Sequence, residues 1–235
     1  MKILTWNILA SEWIKKSYYP TVKDFSVMDS DRRIEIIVKR LYVENADLML
    51  LQEVMDVDYD ILYKHFQNTY YISSLRPIQW GKPKPSRNTN SSSGNITLIR
   101  KTMCKKIAEY PLAYGVLVKA DQLVIYNVHL DDVSFTKRKK QLDELRPKIE
   151  KEKYVVLGGD FNQEYKESSS LYQFPEMTVH NKCITYFVEK NMNIDNILTK
   201  GFTESNDTCS FVPSTVTEGL QVYGSDHIPI TAIVY

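Results

Sequence analysis

Cysteine is scarce in this chain of 235 residues: Cys104, Cys183 and Cys209 are odd in number and far apart. They form neither a disulfide framework nor a zinc pattern, so free thiols in a reducing compartment are expected. Net charge is scarce too. Thirty basic and 29 acidic side chains leave a formal +1, which excludes a uniformly basic surface and confines any grip on nucleic acid to local stretches. No apolar run is long enough for a signal peptide or a membrane span, so a cytoplasmic protein without membrane association is expected. No internal repeat is visible. What is present is an ordinary apolar fraction of 43%, enough for a sizeable core. The length suits one α/β domain over residues 1–235, monomeric.

The chain is organised around residues 154–162. Tyr154, Val155, Val156 and Leu157 form a short β-branched apolar run that reads as a buried strand. Gly158 and Gly159 let the backbone leave the sheet or approach a ligand. Asp160 and Asn162 follow two residues apart, which in extended backbone puts both side chains on one side. A carboxylate beside a carboxamide can take a proton from water and hold that water. An Asp-Asn turn would look the same in isolation.

Similar residues recur at other strand ends. Lys2 to Trp6 alternates apolar and polar and stops at Asn7, either a turn former or a hydrogen-bonding site residue. Residues 11–30 lack a period and interleave Trp13, Tyr18 and Tyr19 with Lys15, Lys16 and Lys23. That composition suits stacking on bases as well as a pinned surface loop. Ser30 or Asp31 caps an amphipathic helix whose apolar face is Ile34, Ile37, Val38, Leu41 and Tyr42. A buried strand over 47–51 runs into Gln52 and Glu53, and a carboxylate there is costly to desolvate unless paired or metal-bound. Residues 57–66 read as a helix.

Residues 76–93 form the clearest loop, with Arg76, Lys82, Lys84 and Arg87, no acid, and Trp80 within it. It fits a salt-sensitive hold on a phosphate backbone, or a plain linker. A strand at 94–100 follows. Next comes a hairpin of 115–119 and 122–130, turning at Ala120 and Asp121, whose second strand ends at His129. Residues 134–149 read as an exposed amphipathic helix. Residues 164–193 read as irregular, 193–198 as a short strand holding Asp195, and 199–224 as loop. A terminal strand over 228–235 is entered through Ser225, Asp226 and His227. Helix and strand alternate along the chain, which gives the α/β class. In such folds sites collect where strand ends and loops converge.

Taken in order, Trp6-Asn7, Gln52-Glu53, His129-Leu130, Gly159-Asp160-Phe161-Asn162, Ile194-Asp195 and Ser225-Asp226-His227 resemble the endonuclease/exonuclease/phosphatase superfamily across residues 3–234. Thr5 to Ala10, Arg32-Arg33 and Ser225 to Pro229 look most like its deadenylase, nocturnin and Angel branch. Gly94-Asn95-Ile96 looks closer to its tyrosyl-DNA phosphodiesterase type. The resemblance implies a DNase I-like four-layer sandwich: two mixed β-sheets packed face to face, with helices outside. It also implies Mg²⁺ or Mn²⁺ held by Glu53, Asn7 and Asp226.

By the same resemblance Asp160 orients or deprotonates the attacking water and Asn162 fixes its position or the phosphate's. His129 and His227 donate to the phosphate oxygens, and Asp195 holds His227. Trp80, Arg76, Arg87, Trp13 and Tyr18 are the candidate substrate contacts. The implied activity is metal-dependent phosphodiester hydrolysis of nucleic acid, RNA ahead of DNA, as a 3′-end exonuclease of deadenylase type. The alternatives are an enzyme processing DNA or RNA ends and an inert nucleic-acid-binding module.

Overall fold

The structure, a computed structural model, describes residues 1–77, 93–166, 169, 172, 174, 176–180, 183–188, 191–203, 205–208 and 210–235. The strands are β1 (Lys2–Asn7), β2 (Leu48–Val54), β3 (Tyr70–Ile72), β4 (Arg76–Pro77), β5 (Gly94–Arg100), β6 (Ile107–Leu112) and β7 (Gly115–Ala120). They continue as β8 (Leu123–His129), β9 (Tyr154–Asp160), β10 (Thr178–Val179), β11 (Asp195–Lys200), β12 (Ser205–Thr208) and β13 (Ile230–Val234). The α-helices are α1 (Ser30–Glu44), α2 (Asp56–Phe66), α3 (Phe135–Ile149) and α4 (Val216–Tyr223).

One sheet runs β12-β13-β1-β2-β5-β3 with β4 also on β5, and the other runs β10-β11-β9-β8-β7-β6. Alternation along each strand sorts its side chains into layers. Ile3, Leu48 and Leu50 of the first sheet meet Val116, Val118, Ile125, Val156 and Ile197 of the second in an apolar seam. On the far side of the first sheet Leu4, Trp6, Met49 and Leu51 pack on Ile34, Ile37 and Leu41 of α1 and Leu62 of α2. On the far side of the second, Val124, Tyr126, Val155 and Leu157 pack on Leu142, Leu145 and Ile149 of α3. Helix, sheet, sheet, helix is the expected four-layer sandwich.

Several local expectations are corrected. The cap of α1 is Asp29, one residue before the expected Ser30 or Asp31, because its carboxylate reaches the Arg32 N–H. Tyr42 is 53% exposed and lies against the Phe66 ring instead of completing the apolar face of α1. The stretch 199–224 is not all loop. It holds α4, capped by the Thr215 side chain and ended by Gly224, and the edge strand β12. Eight residues with a central glycine are too few to display a helical period. β6 also went unanticipated; it has mixed burial and a proline, as an edge strand can. Cys183 is disulfide-bonded while Cys104 is free, which removes the thiols as an argument for a reducing compartment. Spacing in sequence carries no information about such proximity.

The two glycines of β9 have separate reasons. Gly159 has φ 142°, and a Cβ there would lie 1.8 Å from the Val128 carbonyl oxygen. Gly158 faces the seam, where a Cβ would meet only the tip of Leu50 at 2.6 Å. Gly159→Ala is therefore expected to destabilise the protein by upward of about 2 kcal/mol, since backbone has to move. Gly158→Ala should cost about 1 kcal/mol, because a leucine end can shift. Urea unfolding of the two variants checks the order; equal losses would show that the clash is not what requires Gly159.

Candidate active site

The seam grades from apolar to polar toward one end. Ile3, Thr5 and Asn7 alternate along β1, Leu48, Leu50 and Gln52 along β2, Ile125, Asn127 and His129 along β8, and Val156, Gly158 and Asp160 along β9. Parallel pairing puts Asn7 opposite Gln52 and His129 opposite Asp160. β11 runs antiparallel to β9, so its first residue, Asp195, lies opposite Asp160. Glu53 leaves the ladder at a bulge, where the β2–β5 register slips between Leu51 and Val54, and takes φ 57°. A left-handed glutamate costs about 1 kcal/mol or more, the kind of local strain that bulges beside sites carry.

Asp160 is the hub. Its Oδ2 accepts from Asn7 Nδ2 at 3.1 Å, and its Oδ1 from the Asn162 backbone N–H at 2.7 Å. The Nε2 atoms of His129 and His227 lie 3.5 and 3.8 Å from the same Oδ2. Asn7 Nδ2 also donates to Glu53 Oε1 at 2.9 Å, and the Ala10 N–H to Glu53 Oε2 at 2.8 Å. His227 Nδ1 bonds Asp195 Oδ2 at 2.8 Å. Ser225 Oγ donates to the Asn7 carbonyl and accepts from the His227 N–H, tying the C-terminal turn to the end of β1. Asn7, Glu53, His129, Asp160, Asn162, Asp195 and His227 are thus linked by hydrogen bonds and ion-pair contacts, and Asp226 stands next to His227 in the chain.

Burial sets the charges. It pushes the Glu53 carboxyl up, and the nearby Asp226 charge pushes it further. Burial and then Asp195 raise Asp160 to about 7. Burial opposes a charge on His227, but the carboxylates of Asp195, Asp160 and Asp226 outweigh it and hold this imidazole well above its ordinary range. For His129 burial prevails, and its pKa is lowered despite Glu53. One imidazole is therefore a cation and the other neutral near pH 7.

The donor set fits a hard divalent cation. Asp226 Oδ1 is buried and takes no hydrogen bond, Glu53 stands mostly buried beside it in charge, and the oxygens are carboxylate oxygens. Asp160, Asp195 and His227 also bring side-chain atoms within 4.8 Å of one another. Within that trio Asp195 Oδ2 is already engaged by His227 Nδ1 at 2.8 Å, and Glu53 and Asp226 are the carboxylates that would hold such a cation. Asn7 is held by hydrogen bonds at both ends of its amide. Its Oδ1 accepts from the Leu9 N–H at 3.0 Å, so it turns its nitrogen toward the carboxylates and acts as a donor. Asn162 joins the group by another route than expected. Its backbone is left-handed, φ 48°, not extended, and its Nδ2 donates to the Leu130 carbonyl.

Four contributors had no role in the site assigned from the sequence, although Arg33 and Gln52 stand within the motifs that carry the resemblance. Arg33, buried in α1, donates to the carbonyls of Ile8, Leu9 and Gly224 and so clamps the loop after β1 to the turn before Asp226. Gln52 and Asn127 bond each other across the seam at 2.8 Å. Tyr19, grouped with the stacking aromatics, is buried and donates its hydroxyl to Asp226 Oδ2 at 3.0 Å. A polar residue in or beside a motif is a faint signal for the first three; for Tyr19 there was none. Trp13 and Tyr18 are 36% and 47% exposed, with Lys15 Nζ 5.6 and 5.2 Å from their ring centroids. Trp80, Arg87 and the side chain of Arg76 lie outside the described residues. Among those described, no helix is long and apolar enough to cross a membrane.

The family model for endonucleases, exonucleases and phosphatases matches residues 4–227. Among curated protein sequences none is similar enough to count as a relative. Solved structures are similar in fold. Truncated TDP2 of Caenorhabditis elegans superposes with a TM-score of 0.67 at 17% identity, covering 100% of this chain and 97% of that one. The human nocturnin catalytic domain, with bound sulfate, gives 0.65 at 16%, covering 100% and 93%. ANGEL2, a 2′,3′-cyclic phosphatase, gives 0.71 at 12%, covering 98% and 93%.

Two stability experiments probe the group without turnover. Glu53, Asp160 and His227 all bind protons more tightly folded than unfolded, so their shared contribution to stability is present at low pH and lost as pH rises through the folded values. For His227 that window opens at about pH 6.5 and extends upward. Asp195→Asn should remove the hydrogen-bonded ion pair, about 1.5–3 kcal/mol, most of it at the acid end of the window. Urea midpoints between pH 5.5 and 9.5 check this, and a pH-independent deficit would contradict it. Glu53→Gln relieves a buried charge, so the chelator-treated variant should melt roughly 2–4 °C higher, a gain of about 1 kcal/mol. It should also lose any stabilisation by Mg²⁺; an equal rise in melting temperature on adding Mg²⁺ to both proteins would rule Glu53 out as a ligand.

Proposed function

This chain belongs to the endonuclease/exonuclease/phosphatase family, and on that premise we propose that it is a Mg²⁺- or Mn²⁺-dependent phosphodiesterase shortening RNA from the 3′ end. Members of that family are in general hydrolases of phosphoester bonds. The observation that carries the reading is the convergence on Asp160 of Asn7, Glu53 and two unlike imidazoles through hydrogen bonds and ion-pair contacts, with the Asp226 charge close enough to raise the Glu53 pKa.

In this reading Glu53 and Asp226 hold the cation, which supplies charge neutralisation at the phosphate and the leaving oxygen. Asp160 takes a proton from the attacking water; a carboxyl raised to about 7 is matched to that transfer near neutral pH. Asn7 Nδ2 and the Asn162 N–H grip both Asp160 oxygens and fix the direction of its remaining lone pairs. His227, kept cationic by Asp195, donates from Nε2 to a non-bridging phosphate oxygen as charge builds there. Neutral His129 offers a second donor on the same side of Asp160. Trp13 and Tyr18 supply exposed ring surface for unpaired bases.

A second reading, removal of a group from a nucleic-acid end, is supported by the fold shared with ANGEL2, a 2′,3′-cyclic phosphatase. The test uses 5′-labelled oligoadenylate, its DNA counterpart, and RNA ending in a 2′,3′-cyclic phosphate. Each is incubated with Mg²⁺ and with chelator. Stepwise shortening of the RNA from its 3′ end, abolished by chelator, is expected. Conversion of the cyclic end without shortening favours the second reading. Asp160→Asn should lower kcat by about 10²- to 10⁴-fold while leaving oligonucleotide binding intact. Binding by the wild type without turnover of any substrate would instead fit a module that retains the fold and not the chemistry.

A further inference from the structure

The residues between β1 and α1 supply more than surface aromatics. Ala10 gives a backbone N–H to Glu53 and Leu9 fixes the Asn7 amide, so this segment already orients one of the two carboxylates assigned to the cation. Tyr19 reaches the other. Its ring is packed in a small apolar cluster with Leu9, Val22, Val27, Met28 and, from α4, Leu220. Short turns on both sides hold it, Tyr19 N–H to the Lys16 carbonyl and Val22 N–H to the Tyr19 carbonyl. Its hydroxyl donates to Asp226 Oδ2 at 3.0 Å, while Oδ1 of the same carboxylate is buried and takes no hydrogen bond.

We propose that Tyr19 is a positioning residue for the cation site: it occupies Oδ2 of Asp226 and thereby presents Oδ1 as a single ligand oxygen beside Glu53. A carboxylate free at both oxygens can rotate or bind a cation through both. A carboxylate pinned at one oxygen offers one lone-pair direction, which suits the small, strictly octahedral Mg²⁺. The phenol stays a donor at every working pH, because burial and the Asp226 charge both raise its pKa far above the usual value. The inference rests on the cation assignment above and adds to it a residue that touches neither metal nor phosphate.

The experiment measures Mn²⁺ binding to the chelator-treated full chain by the loss of the free-ion EPR signal, in wild type and in Tyr19→Phe. Loss of the donor should weaken Mn²⁺ about 10-fold or more, within the range that partners of ligating groups command. The melting temperature without metal should barely move, and saturating Mg²⁺ should restore kcat, as a defect in ligand positioning requires. Val22→Ala loosens the same apolar cluster without touching Asp226 and should leave the affinity unchanged. Mn²⁺ binding within twofold of wild type in Tyr19→Phe, or equal weakening in Val22→Ala, overturns the role of Tyr19 and leaves the cation assignment standing. A wild type that binds no Mn²⁺ overturns both. Should Tyr19→Phe fail to fold, the hydroxyl proton of Tyr19 is followed by NMR in the wild type. It should remain protected and shift as Mg²⁺ is added; exchange with water on cation binding would end the proposal.

Discussion

Two sheets packed face to face need a dry seam, and this seam must nevertheless open into a group of carboxylates and imidazoles. Three amides make the transition. Asn127 Nδ2 donates to the carbonyls of Leu51 and Ile96 in the opposite sheet, and Gln52 Nε2 reaches back to Asn127 Oδ1. Asn95 Nδ2 donates to the Asn127 carbonyl and side-chain oxygen. All three side chains are fully buried. Each bond crosses from one sheet to the other, so the sheets are locked in relative position one residue before Glu53 and two before His129. An apolar replacement could fill that space, but it could not fix the spacing to hydrogen-bond precision.

The same rigidity explains how several acids survive together. Removing Glu53, Asp160, Asp195 and Asp226 from water is unfavourable, and bringing them close compounds it. The fold offsets this with donors aimed at individual oxygens: Asn7 at two carboxylates, the Ala10 and Asn162 N–H groups, the Tyr19 hydroxyl and the His227 imidazole. The offset is incomplete, since Glu53 and Asp160 keep raised pKa values. Residual electrostatic strain of this kind is what a divalent cation would relieve. Arg33 brings a fixed positive charge near Asp226 and Glu53, but its guanidinium donates to three backbone carbonyls. It stiffens the surroundings without making a salt bridge to the acids.

How far the sequence reveals this depends on the reach of each interaction. Asp160, His129 and Glu53 were legible because each stands at the end of an apolar run, where a buried polar group demands a reason, whereas Asp195 was placed only by the family resemblance. The layered class was legible from the alternation of helix and strand. Tyr19 was not, because an aromatic in an aperiodic segment shows nothing of its burial, and its partner lies 207 residues away. Asn127 looked like one more strand residue; only its position across from Leu51 and Ile96 gives it a task. Asn162 was placed at the site through an assumed extended backbone, whereas a left-handed turn and a backbone N–H do the work. Side-chain orientation at a strand's last residues is decided by the turn that follows, which single-residue periodicity does not encode.

β1 carries a further consequence. It pairs antiparallel with β13 and parallel with β2, so the two ends of the chain and its first crossover meet in one strand. Trp6 donates to the His227 carbonyl and Ser225 to that of Asn7, contacts spanning more than 200 residues. The site therefore forms only when the whole sandwich has closed, and no fragment of it could hold the acids in place. Structures 12–18% identical to this chain share that framework over nearly its full length. At that identity the likeness is one of fold, and what this chain does rests on the side chains that its own strand ends bring together.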